Sequence, residues 1–247
     1  MKKLFSFLLL PFILFANFDD SQLVVGTTSG YAPYVSLNER GEYEGFDIDV
    51  AEALAEKMGK KLVLKDYGSM PGLLMALKQK KVDLLIWAIS ITSERMQKME
   101  MIHYQGKPVD QMPLVFWKQI PEGLQGFQDV DTTVSVEAGS YQESVLKKYP
   151  KMKLKNLSSI NDAILDLKFG KSKATCVDEA LLPRLKEQFP ELRVVYCSLP
   201  PEERSLGNGI CIEKSNSEFA AEIKKVVEEL VADGTIAKLE EKWGLVQ

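Results

Sequence analysis

The sequence predicts an α/β protein of two lobes, each a mostly parallel sheet flanked by helices, with a ligand cleft between them. Three observations carry that reading. Short apolar segments of strand length alternate with amphipathic segments of helix length along the chain, as in parallel strands joined by right-handed helical crossovers. The alternation comes in two series, separated by an irregular stretch at 102–111 and restarting near residue 134, and two series mean two sheets. Polar residues with binding chemistry fall at the carboxyl ends of the expected strands, where open α/β sheets hold their ligands.

In the first series, residues 23–27 read as a strand. Gly45-Phe46-Asp47-Ile48-Asp49 opens an amphipathic helix that runs to 57 or 58, and Gly59 ends it, glycine being the usual residue just past a helix. Strands follow at 61–65, 84–86 and 114–117, with helices at 73–79 and 94–99. The second series has strands at 134–136, 153–157, 175–177 and 194–197. Its helices are 142–148, opened by the capping box Ser140-x-x-Glu143, then 159–169, closed by Gly170, and 179–189. Pro200-Pro201 breaks the pattern, and Gly207-Asn208-Gly209 precedes a strand at 210–212. A second capping box, Ser215-x-x-Glu218, opens a helix that reaches Ala232. Gly234 ends it, and a last helix runs to Trp243.

The first residues predict export. Met1-Lys2-Lys3 is basic, the next twelve residues are almost wholly apolar, and Ala16 precedes a polar stretch. That is the order of a secretory signal, here residues 1–16, and its apolar run is too short for a comfortable membrane span. No cysteine lies near it to carry a lipid. The mature chain is expected to be soluble and periplasmic. Apolar residues make up 45% of the sequence, enough for one large or two modest cores. The formal charge is −4 and becomes −6 without Lys2 and Lys3. A nucleic-acid binder would instead show a concentrated basic face. Cys176, Cys197 and Cys211 sit in apolar contexts without metal-ligand spacing, so they read as buried small residues, with at most one bridge among them. His103 is the sole histidine, which leaves little material for a metal site or a Ser-His triad. Neither metal nor cofactor is expected.

The run Ile91-Thr92-Ser93-Glu94-Arg95 follows the strand at 84–86. It sets a helix start and an arginine at a strand's carboxyl end. Helix N-termini attract anions, and a guanidinium grips a carboxylate through two parallel hydrogen bonds. The run therefore implies a carboxylate clamp, with a surface arginine on an amphipathic helix as the structural alternative.

The chain as a whole resembles the polar-amino-acid-binding proteins that feed bacterial ABC importers, family 3 of the solute-binding proteins. The resemblance rests on Val25-Gly26-Thr27, Tyr31-Ala32-Pro33-Tyr34, Gly45 to Ala51, Lys81-Val82-Asp83, Ser90-Ile91-Thr92 with Arg95, Glu137-Ala138-Gly139-Ser140, Val177-Asp178, and the ending Ala232 to Gly244. Their order and spacing matter more than any one piece. Gly139-Ser140-Tyr141-Gln142-Glu143 and Glu240-Glu241-Lys242-Trp243-Gly244-Leu245 are most similar to the arginine-binding branch.

The resemblance implies a type II periplasmic-binding-protein fold. One lobe holds residues 20–115 and 207–247, the other 118–203, and the hinge lies near 116–118 and 204–207. It implies that Arg95 binds the ligand α-carboxylate, helped by Ser90 and the backbone at Ala88. Ser140 and Tyr141 offer N–H groups from the second lobe, and Asp178 binds the α-ammonium. Plain N-capping is the alternative for Ser140 and for Asp178. Gly45, Asp47 and Asp49 read as structural, and Lys238 and Lys242 as solvated charges. Tyr31 matches the aromatic that stacks on the ligand side chain. The side-chain pocket otherwise departs from the pattern. Thr28 stands where basic-amino-acid binders often carry an acid, Met70 where a second aromatic is usual, and Trp87 where a Ser or Thr is usual. Trp87 is read as supplying the missing flat face and Glu137 the missing charge. Core packing is the alternative for Trp87, and solvent exposure for Glu137.

The expected function is capture of a free amino acid and delivery to an importer permease by a monomeric carrier. The favoured ligand is arginine, then lysine or ornithine, with glutamine or another polar amino acid as the alternative. A dehydratase acting on cyclohexadienyl acids uses the same fold, with a general acid in the cleft. A sensor module would need a membrane span and a cytoplasmic domain, and neither is read in the sequence.

Overall fold

A computed structural model of the chain describes residues 20–245. The expected signal segment, residues 1–16, lies outside them. The order of elements is β1 (Gln22–Thr27), β2 (Ser36–Leu37), β3 (Tyr43–Glu44), α1 (Phe46–Lys57), β4 (Lys61–Asp66), α2 (Met70–Lys78), β5 (Leu84–Leu85), α3 (Ser93–Lys98) and β6 (Met99–Gln105). Then come β7 (Gln111–Trp117), β8 (Thr133–Glu137), α4 (Tyr141–Leu146), β9 (Lys153–Leu157), α5 (Ile160–Lys168), β10 (Ala174–Cys176), α6 (Leu182–Gln188) and β11 (Leu192–Ser198). The chain closes with β12 (Asn208–Glu213), α7 (Ser217–Ala232) and α8 (Thr235–Lys242). No helix among the described residues is long and apolar enough to cross a membrane.

Two five-stranded sheets form, in the orders β4-β1-β5-β12-β6 and β11-β7-β10-β8-β9. In the first, β4, β1 and β5 run parallel, whereas β12 is antiparallel to β5 and β6. In the second, β9, β8 and β10 run parallel, whereas β7 is antiparallel to β10 and β11. Each lobe thus joins a parallel three-strand half to an antiparallel pair. The central strands are continuous apolar runs because helices cover both faces. Leu23, Val25, Leu84, Leu85 and Ile86 are fully buried, and each contributes roughly 1.5–3 kcal/mol by leaving water.

The sheet assignment corrects the hinge. β7 pairs along its whole length with β11, from Gln111 with Ser198 to Trp117 with Leu192, so 111–117 belong to the second lobe and 116–118 is not a crossing. The chain crosses first at 106–110, where Gly106 (φ 82°) and Pro108 interrupt pairing. It returns between Ser198 and Asn208. The two crossings meet where Val109 N–H donates to the Ser205 carbonyl at 2.8 Å. The stretch 99–105 lacks clean alternation in sequence, yet it forms β6, because pairing with β12 satisfies its backbone.

Local chemistry fixes the ends of several elements. Gly45 (φ 135°) starts α1 with its Cα so close to the Tyr34 carbonyl that a Cβ would lie 2.1 Å from that oxygen. The Ser140 box closes halfway: Ser140 Oγ accepts from Glu143 N–H, but Glu143 reaches back to Gly139 N–H at 2.6 Å rather than to Ser140. The box expected at Ser215 does not form. Ser215 turns back to Glu213, and Asn216 begins α7 without a side-chain cap. Residues 179–189 divide into a 3-10 turn, Glu179–Leu181, and α6, which carries Pro183 in its first turn. Lys242 is not simply solvated: it pairs with Asp49 at 2.7 Å, and Trp243 Nε1 donates to the same carboxylate at 2.6 Å, tying α8 to α1.

The three thiols are free and buried. Cys176 lies opposite Leu114 and Cys197 opposite Met112, on the two sides of β7. Two strand spacings, roughly 9–10 Å, exceed the reach of a disulfide, about 7 Å between Cα atoms. Cys211 is in the other sheet.

Candidate functional site

At the junction of the lobes a small cavity is lined by Tyr31, Met70, Trp87, Ala88, Ser90 and Arg95 from the first lobe. Glu137, Ser140, Tyr141, Gln142 and Asp178 line it from the second. Its volume is about 20 Å³, near the minimum for one water. On the hinge side the cleft continues as a hollow of about 240 Å³ that shares Ser90, Tyr141, Gln142 and Asp178. The lobes touch here. A Cβ on Gly139 would come within 3.2 Å of Met70 Cγ, so glycine lets the second lobe close against the first. Larger hollows exist elsewhere, such as one of about 520 Å³ bounded by Ala32, Arg184 and Trp243. That hollow gathers no buried unpaired charge, so size is not the criterion.

Arg95 is held by α3, which begins where Thr92 Oγ1 accepts from the Arg95 N–H at 3.2 Å. The residue is 9% exposed. Nη1 donates to the Ser90 carbonyl at 2.9 Å, and Nη2 crosses the cleft to the Gly139 carbonyl at 3.0 Å. No acidic side chain pairs with it among the described residues. Burial pushes its pKa down from the usual value, the mark of a desolvated cation without a counter-charge.

Asp178 follows β10 and is half-buried. Oδ1 accepts from Ala180 N–H at 3.3 Å and Oδ2 from the Tyr31 hydroxyl at 3.4 Å. Capping and cleft exposure thus share one carboxylate. Burial raises its pKa, and those two hydrogen bonds oppose the shift. It too makes no ion pair among the described residues. Glu137, at the end of β8, is 6% exposed rather than solvent-facing. Burial alone pushes its carboxyl up to about 8. The site therefore holds one uncompensated cation and two raised carboxyls, at a cost that a ligand of matching charge would relieve.

The rings of Tyr31 and Trp87 lie 5.1 Å apart at 50°. Trp87 Nε1 is buried with no hydrogen-bond partner among the described residues, which buried N–H groups rarely tolerate. The phenol of Tyr141 is spent on the Glu203 carbonyl in the returning crossing, so Tyr141 offers the cleft its ring and backbone. The Ala88 N–H is likewise taken, by Asp47 Oδ2 at 2.7 Å. Thr28 is the exception among the expected residues. It is buried and hydrogen-bonded to Asp66, outside the cavity lining. Gln142 was not singled out from sequence, although it stands beside Tyr141 in the first turn of α4. The described residues gather no cluster of metal-ligand side chains.

Two sheet lobes, joined by two crossings and closing over a cleft lined with unmatched opposite charges, define a ligand-trapping binding protein. The chain belongs to the bacterial extracellular solute-binding proteins, family 3, which match it over residues 23–246. It is 31% identical to the probable ABC transporter arginine-binding protein ArtJ of Chlamydia trachomatis, over 92% of this chain and 87% of that one. Among solved structures it is similar to a variant of the arginine-binding protein from T. maritima (TM-score 0.81, 28% identity, 92% and 96% covered). It is also similar to an ancestral arginine-binding protein bound to arginine (TM-score 0.78, 30% identity, 90% and 98% covered).

Proposed function

We propose that this protein is a periplasmic carrier that captures arginine and delivers it to the membrane permease of an ABC importer, as a monomer and without turning its ligand over. One observation carries the reading. Among the described residues Arg95 is a buried cation that makes no ion pair, and Asp178 across the cleft is a carboxyl that makes none either. A free α-amino acid supplies both missing partners, its carboxylate to Arg95 and its ammonium to Asp178. Ser90 and Ser140 line the carboxylate end. Tyr31, Trp87 and Met70 wall the side chain, with Gln142 beside them. Glu137 supplies the counter-charge for a cationic head, and a flat guanidinium suits the aromatic faces better than a compact ammonium does. Lysine and ornithine come behind arginine for that reason. The arginine-binding relatives point the same way.

A second reading rests on the unpartnered Trp87 N–H. It wants an acceptor, and a guanidinium has none. A glutamine side chain offers a carbonyl, and a solved relative described as an ancestral arginine-binding protein carries glutamine. The test is a thermal-shift screen of the mature chain against the common amino acids, followed by competition against labelled arginine. A ligand at a hundred times its Kd raises stability by about 2.7 kcal/mol. Arginine is expected to give the largest shift. Displacement of arginine by less glutamine than arginine itself overturns the cationic reading. Turnover of prephenate or arogenate would overturn the carrier reading, since the raised Glu137 carboxyl could then serve as a general acid.

A further inference from the structure

Asp47 lies in the first turn of α1, fully buried, and the binding reading does not use it. Its two oxygens point to two different parts of the lobe. Oδ2 accepts from the Ala88 N–H at 2.7 Å, and Oδ1 accepts from the Tyr104 hydroxyl at 2.6 Å. Ala88 lines the cleft and has φ +44°, the left-handed region that residues with a Cβ seldom occupy. Such a conformation persists only where the surroundings over-determine it. Here the over-determining contact is the hydrogen bond that the Ala88 N–H donates to the buried Asp47 carboxyl. Tyr104, the other partner, lies on β6 one residue before Gln105. Gln105 Oε1 accepts from Asn208 Nδ2 at 2.8 Å, where the returning crossing enters β12. Phe46 stacks on Tyr104 with centroids 6.0 Å apart and closes the cluster. The buried carboxylate therefore joins the helix α1, the floor of the cleft and the strand that leads into the hinge.

We infer that Asp47 is a positioning residue for ligand binding: through Ala88 N–H it holds the cleft floor in its left-handed bend, and Tyr104 holds Asp47. With its N–H bound to Asp47, Ala88 lines the cleft with the rest of the residue, and release of the bend would move that part of the floor. The inference rests on the amino-acid-binding reading, and the controls separate the two.

The test uses the full mature chain, with L-arginine as probe, and compares affinity with melting temperature. Asp47→Asn keeps an acceptor for Ala88 and can still bond Tyr104, so its affinity should stay within about threefold of the parent. Asp47→Ala, which removes the acceptor, should weaken binding at least tenfold. Adding Ala88→Gly to Asp47→Ala should recover threefold or more, because glycine adopts the bend without the carboxylate. A merely structural role would show no such rescue. Asp47→Ala that folds and binds normally, or a double variant in which the two losses simply add, overturns the inference. Should Asp47→Ala fail to fold, Tyr104→Phe decides, read by amide exchange at residues 86–89 without ligand. Faster exchange there supports the inference, and unchanged exchange overturns it. Arg95→Ala runs in parallel. If it binds as tightly as the parent, the site reading fails; if it loses binding while Asp47→Ala does not, only the positioning role fails.

Discussion

The two lobes share a strand plan but not a charge. In each, the first strand of the parallel half sits between the second and the third, and the third adjoins the antiparallel pair. The segment after the third strand delivers the principal charge to the cleft, Arg95 after β5 in one lobe and Asp178 after β10 in the other. The segment at the end of the first strand delivers the side-chain wall, Tyr31 after β1 and Glu137 at the end of β8. Equivalent places thus carry a cation and an aromatic on one side and two carboxyls on the other. A ligand held only by one lobe gets half the contacts. On the proposed reading, only an arrangement that brings the two lobes together satisfies a zwitterion at both ends, and that difference in binding free energy would favour closure.

The largest blow to this comparison should come from Arg95→Ala. It leaves a ligand carboxylate unpaired in a closed, largely dry cleft, at a cost of about 2–5 kcal/mol, and calorimetry should find arginine affinity reduced by more than thirtyfold. Asp178→Asn should cost less, about 1–3 kcal/mol, because Asp178 is only half-buried and shares its oxygens with Ala180 and Tyr31. The two losses should not add. If each anchor counts fully only when the other closes the lobes, the double variant should show a coupling of about 0.5–3 kcal/mol.

Glu137 sharpens the comparison through pH. Its carboxyl is raised to about 8 without ligand, and burial is the cause. A guanidinium favours the ionised form, so binding lowers that pKa and releases a proton. Arginine affinity should then be full above pH 8 and fall as pH drops, by at most about tenfold per unit. Calorimetry at pH 7 in buffers of different ionisation heat reads the proton directly. Glu137→Gln should reduce both the release and the pH slope, leaving only what the raised Asp178 carboxyl contributes. A glutamine ligand, whose side chain is neutral, should show less of both in the parent.

The smallest expected effect is that of Trp87→Phe, which keeps a flat face and removes the N–H. Arginine affinity should change by less than about threefold if Trp87 acts as a face. A loss above tenfold, measured by the same titration, would mark the N–H as a true ligand donor.

Much of this was legible in the sequence, for identifiable reasons. The parallel halves announce themselves because doubly covered strands are continuous apolar runs. Arg95, Asp178 and Glu137 stand out as charges at strand ends. The antiparallel halves were harder to read. In 99–105 the residues Met-Glu-Met-Ile-His-Tyr-Gln alternate poorly, so that stretch carries no strand signal, and the pairing of 111–117 with the second sheet is equally silent in local pattern. Thr28 was assigned to the pocket by position alone, while its hydroxyl turns to Asp66. Gln142 stands in the stretch that resembles the arginine-binding branch, but nothing local to it assigns its side chain to the pocket. The tie between Asp47 and Ala88 spans distant residues, and no local pattern shows which carboxylate will meet which N–H.

The most direct test removes one end of the ligand as well as one end of the site. Agmatine is arginine without its carboxylate. Titrations of arginine and agmatine into the parent and into Arg95→Ala form a cycle. If Arg95 and the ligand carboxylate are partners across the cleft, agmatine should bind the parent at least thirtyfold more weakly than arginine, and the two should bind Arg95→Ala within about threefold of each other. An equal penalty for agmatine in both proteins would contradict the account, because the carboxylate would then be held by something other than Arg95.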